Sequence, residues 1–165
     1  MMEEIDKDLA TLLDIYNEKF EANKGQKEKK IKERDDFEIQ FKKLIVNVIK
    51  PEMDNYKELL DKKGLHSYIK IEPQFELEDK PPRITFTFSY KKSKHSSSSL
   101  PSITLAAGNG KIELYENRIE PTGSGSSGRE GLYEMAQITN AFVKELLSKF
   151  FKSLFNKSWT QYDFE

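Results

Sequence analysis

The chain opens on an apolar stripe at helical spacing. Ile5, Leu9, Leu12, Leu13, Tyr16 and Phe20 recur at steps of three and four, the period of one face of an α-helix. Glu3, Glu4, Asp6 and Asp8 stand where the positive end of that helix would lie. Asn23-Lys24-Gly25 reads as a stop signal, so the pattern predicts a helix over 3–23. Residues 26–36 then lose the stripe: apart from Gln26 and Ile31, every position is Lys, Glu, Arg or Asp. Such a segment has no face to bury and reads as a solvated helical bridge or a flexible linker.

The helical period returns with Phe37, Phe41, Leu44, Ile45, Val48 and Ile49. Pro51 lacks a backbone donor and clashes with the preceding turn, so it should kink this helix or restart it. Met53, Tyr56, Leu59 and Leu60 carry the stripe on. Lys62-Lys63-Gly64 supplies cations at the negative helix end and a residue able to turn left-handed.

From there the period changes to two. Ser67–Phe75 reads as a strand with Ile69 and Ile71 on one side. In Arg83–Lys91, Ile84, Phe86, Phe88 and Tyr90 alternate with Thr85, Thr87 and Ser89, which implies one buried and one wet face. Asp79-Lys80-Pro81-Pro82 joins the two, and residues 92–99 (KSKHSSSS) form a polar loop. Ser102–Ala107 and Lys111–Ile119 read as a hairpin about Gly108-Asn109-Gly110, since Asn-Gly suits a tight turn with positive φ at both central residues. Residues 121–131 (PTGSGSSGREG) read as a loop too rich in Gly and Ser to order itself. Leu132–Phe155 reads as an amphipathic helix, with Met135, Ile138, Phe142, Leu146, Phe150 and Leu154 at helical spacing and a wide apolar arc.

The expected fold is therefore α+β: an N-terminal helical arm, a kinked helix, a four-stranded antiparallel meander, and a C-terminal helix packed on one sheet face. The expected divisions are 1–36 as arm and charged bridge, 37–157 as the core domain, and 158–165 as an acidic aromatic tail. The first helix has no evident place in that two-layer core, and its stripe could meet the same stripe of a second copy.

Composition changes this picture only a little. Of 165 residues, 33% are charged and 36% hydrophobic, yet aromatics reach 12%, more than disordered chains carry. A formal net charge of −1 gives no general attraction to nucleic acid or anionic membrane. The absence of cysteine excludes disulfides, zinc–thiolate sites and cysteine nucleophiles. The acidic start is unlike a signal peptide, and no apolar run approaches a membrane span, so the cytoplasm is the expected compartment.

Candidate chemistry is sparse. His66 and His95 lie apart from other ligand types at metal-binding spacing and read as surface residues. His95 with Ser96–Ser99, and Gly123-Ser124-Gly125, lack the strained strand-to-helix turn of a serine nucleophile. Gly123, Gly125, Gly128 and Gly131 with Arg129 precede a helix, but they lack the phosphate-loop pattern and read as a linker. Glu72, Glu76 and Glu78 read as a solvated strand end. The sequence thus offers no catalytic constellation, cofactor motif or metal site.

The favoured expectation is a non-enzymatic interaction, adaptor or chaperone-like module with a protein partner. It would self-associate as a homo-oligomer through Ile5, Leu9, Leu12, Leu13, Tyr16 and Phe20. A partner-binding tail at Trp159, Tyr162 and Phe164 is the second interaction candidate, because aromatic anchors dominate many interfaces. Nucleic-acid contact through Lys27, Lys29, Lys30, Lys32 and Arg34, with Lys24 beside them, is an alternative weakened by the interleaved Glu28, Glu33, Asp35 and Asp36. A basic run at Lys91, Lys92, Lys94 and His95 reads the same way. The remaining alternative is a small-ligand binder or enzyme, with a pocket between the sheet and the C-terminal helix near Arg129 and the Gly-rich loop. No membrane association is expected.

Overall fold

The computed structural model describes residues 2–73, 80–89, 100–119 and 125–155. The chain divides into two units between Asp36 and Phe37.

The first unit is helical throughout its described length, as part of helix α1 (Met2–Leu44). Asn23-Lys24-Gly25 therefore does not end a helix, and 26–36 is helix rather than linker. One interior glycine costs about 1 kcal/mol against alanine. Lys24/Glu28, Glu28/Lys32, Lys29/Glu33 and Lys32/Asp36 offset this through opposite charges four residues apart, each pair adding roughly 0.2–0.5 kcal/mol.

In the second unit, α1 passes at Ile45–Ile49 into a π-helical turn, closed by the Lys50 amide donating to the Ile45 carbonyl. Helix α2 (Lys50–Lys62) follows without a break in helical dihedrals, since Ile49 and Lys50 are both right-handed helical, and Pro51 in its first turn supplies no amide to the turn before it. Phe41, Ile45, Ile49 and Met53 are spaced by four. In an α-helix such residues drift by about 40° per step. The wider π turn opposes that drift and holds all four in the core. Helix α2 ends as its sequence implies. Gly64 (φ 76°) donates to the Asp61 carbonyl and Leu65 to the Leu60 carbonyl, both at 3.0 Å, which is a Schellman motif.

Five strands follow: β1 (His66–Glu72), β2 (Arg83–Ser89), β3 (Ser102–Ala107), β4 (Ile112–Ile119) and β5 (Gly125–Tyr133). They form one antiparallel meander in sequence order. The register pairs Ile69 with Phe86, Phe86 with Ile103, and Ile84 with Leu105, so the apolar rows align on one face. Between β3 and β4, Gly110 (φ 72°) takes the left-handed position, while among the described residues no non-glycine has positive φ. The turn expected to need two such residues needs one. The Gly110 amide donates to the Gly108 carbonyl at 2.9 Å, an inverse γ-turn on Asn109.

The fifth strand corrects the reading of 121–131 as a loop. Gly125–Tyr133 is a strand, and the final helix does not begin at Leu132. A Gly/Ser segment cannot order itself, but β4 offers it an open edge of amides and carbonyls, and strand propensity depends on such context. Gly125 fits because a Cβ there would collide with the Arg118 carbonyl oxygen. The chain then makes a 3₁₀ turn (Met135–Gln137), with Glu134 and Gln137 in a capping box, before helix α3 (Asn140–Phe155). The Thr139 hydroxyl accepts from the Phe142 amide at 3.2 Å and caps α3.

Helices α2 and α3 cover the same sheet face. Phe151 of α3 meets Tyr56 of α2 at 5.5 Å between ring centres and Phe86 and Phe88 of β2 at 5.7 and 5.5 Å. The Tyr56 hydroxyl donates to the Lys144 carbonyl at 3.3 Å, and the Asn140 amide group to Glu52 Oε1 at 3.3 Å. Ile84, Phe86, Phe88, Leu147 and Phe150 are fully buried in one core. No described helix is long and apolar enough to cross a membrane.

Candidate functional site: an apolar arm and a charged cleft

The six arm residues lie on one stripe of α1 about 100° wide, set by the 3.6-residue turn. All six are exposed, from 52% at Leu13 to 63% at Leu12 and Tyr16. Tyr16 and Phe20 stack at 6.3 Å, one turn apart. Soluble proteins seldom leave a contiguous apolar patch of this kind unless it meets something.

The basic residues of the arm have a different distribution. At 100° per residue, Lys27, Lys30 and Arg34 fall within about 60° of one another, while Lys29 and Lys32 lie on the opposite side of the helix. Glu28 and Glu33 lie between them, and Arg34 contacts Asp35 at 3.4 Å. The basic row is therefore three residues long. The aromatic tail (Trp159, Tyr162, Phe164), His95 and its serines, Lys91–Lys94, Glu76, Glu78 and residues 121–124 lie outside the described residues. His66 is an exposed residue opening β1.

A cleft of about 250 Å³ lies between β4, β5 and α3, lined by Leu114, Glu116, Arg118, Glu130, Tyr133, Phe142, Glu145, Leu146 and Lys149. Its origin is in the strand register. Gly131 pairs with Leu114 and Gly128 with Glu116, so β5 places no side chain opposite these inward positions. Glu116 lies on the floor, 6% exposed, and Arg118 Nε donates to its Oε2 at 2.7 Å with a second contact from Nη2. On α3, Lys149 pairs with Glu145 at 3.3 Å. Tyr133 and Phe142 meet edge-to-face at 4.8 Å beside them. Arg129, the expected pocket residue, is not among the lining residues; it reaches Glu113 at 3.6 Å. Sequence reasoning passed over Glu116. The usable signal was parity, since positions 112, 114 and 116 share a side of the strand.

The other sheet face is polar. Tyr115 donates to Glu113 at 2.5 Å, and this bond holds the phenol above its ordinary pKa. Thr85 and Thr104 share a hydrogen bond at 2.9 Å. Glu72 accepts from Lys70 at 2.7 Å, which lowers the Glu72 pKa and raises that of Lys70, and it stands 3.8 Å from Arg83. Among the described residues, no group of three or more His, Asp or Glu side chains is placed to hold a metal ion.

No protein-family model matches the chain, and no curated protein or solved structure is significantly similar to it.

Proposed function

We propose that this protein is a non-enzymatic interaction module that self-associates through the N-terminal arm. One observation carries the reading: Ile5, Leu9, Leu12, Leu13, Tyr16 and Phe20 form a single stripe, and each is more than half exposed. Burying apolar area stabilises by roughly 25 cal/mol per Å², so a stripe left in water is a standing drive towards a partner. The alternatives draw less support. The arm's basic row is only three residues long and interleaved in sequence with Glu28 and Glu33, and four of the five charged cleft residues pair with each other.

Light scattering at tens of micromolar, a concentration on the order of weak dimer constants, tests the reading. The full chain should scatter above monomer mass, and Leu9→Asp with Leu13→Asp should restore the monomer without moving the main melting transition. A wild-type monomer under those conditions would remove the proposal.

A further inference from the structure

The arm is electrically polarised, and its charges select how two copies would meet. Residues 1–18 hold six acids against one lysine, while 19–34 hold seven bases against three acids. Two flanks border the apolar stripe. Asp6 and Lys24 are 18 residues apart, five full turns, and so lie on one flank. Asp8 and Lys19 lie within about 20° of each other on the opposite flank. All four are exposed.

Resting on the self-association reading, we propose that the partner of the arm is the arm of a second copy in antiparallel orientation. With the stripes in register, Ile5 lies beside Phe20, Leu9 beside Tyr16, and Leu12 beside Leu13. Helices paired antiparallel bring matching flanks together. Asp8 then meets the other copy's Lys19, within roughly 3 Å along the axis, and Asp6 lies roughly 8 Å along from the other copy's Lys24. With a screening length of about 8 Å at physiological salt, Asp8–Lys19 is the stronger of the two pairs and Asp6–Lys24 the weaker. Helices paired parallel bring opposite flanks together, which sets Asp6 by Asp8 and Lys19 by Lys24. Burial is similar in both arrangements, so the flanking charges decide between them.

The chain has no cysteine, so a spin label on Asn23→Cys reports one site per copy. In the antiparallel dimer, positions 23 and 23 are 21 residues apart along the axis, roughly 32 Å. In a parallel dimer they fall within about 15 Å. A dipolar distance above about 30 Å supports the proposal. A short distance overturns the orientation but leaves self-association standing. Loss of dipolar coupling with a monomeric mass overturns both.

The sign of a charge swap gives a second readout. Asp6→Lys faces Lys24 in the antiparallel dimer and should raise Kd roughly five-fold, from the modest worth of two exposed pairs turned repulsive. Adding Lys24→Glu should restore the original Kd. In a parallel dimer the same Asp6→Lys would face Asp8 and lower Kd, which would overturn the proposal.

Discussion

The arm of α1 and helix α3 carry similar apolar stripes and meet opposite fates. In α3, Leu147 and Phe150 are fully buried against the sheet. In the arm, Leu13 is 52% exposed and Leu12 63%. Both have the helical period, although the apolar arc of α3 is the wider. What differs is the counterface: α3 follows a sheet whose inner rows, Ile84–Phe86–Phe88 and Ile103–Leu105, are apolar to match. An amphipathic stripe specifies that an interface exists, but not which molecule supplies its other half.

The contrast is sharpest under truncation. Phe150→Ala should cost about 3–5 kcal/mol of unfolding free energy, since the cavity lies in packed core. Leu13→Ala should leave chemical denaturation of the same core within about 0.5 kcal/mol while weakening association. Equal losses from both would erase the distinction.

A smaller effect separates the elements by backbone alone. Gly25 sits mid-helix in open space, with nothing within 4 Å of an added Cβ. Gly25→Ala should stabilise the arm helix by about 1 kcal/mol, read as slower amide exchange around residue 25. The melting transition of the core should stay in place.

Much of this was legible in the sequence because local and tertiary signals agreed. Ser102–Ala107 has the expected bounds because Ile103 and Leu105 alternate cleanly and both flanks are punctuated. Arg83 starts its strand as expected for the same reason. Gly64 ended α2 because cations, glycine and Leu65 agreed. The hidden parts depend on neighbours. Gly125–Tyr133 has little strand character of its own and becomes a strand by pairing with β4. Met135 and Ile138 matched a helical period by coincidence with α3, and only Thr139 marked the true start. The cleft follows from glycines opposite Leu114 and Glu116, a register that no single segment encodes.

The smallest effect lies on the polar sheet face, away from both stripes. Lys70 depresses the Glu72 pKa, so the folded state binds that proton less readily than the unfolded chain does. The contribution is complete above the ordinary glutamate value and fades as pH falls through the lowered one. Denaturation of wild type and Glu72→Gln should therefore differ slightly at neutral pH and converge in acid, while the arm's exchange rates stay unchanged.

Amide hydrogen exchange at two protein concentrations tests the central contrast most directly. Protection across residues 5–20 should rise several-fold between low- and high-micromolar protein, whereas protection across 140–155 should not change. An arm whose exchange is indifferent to concentration would contradict the account.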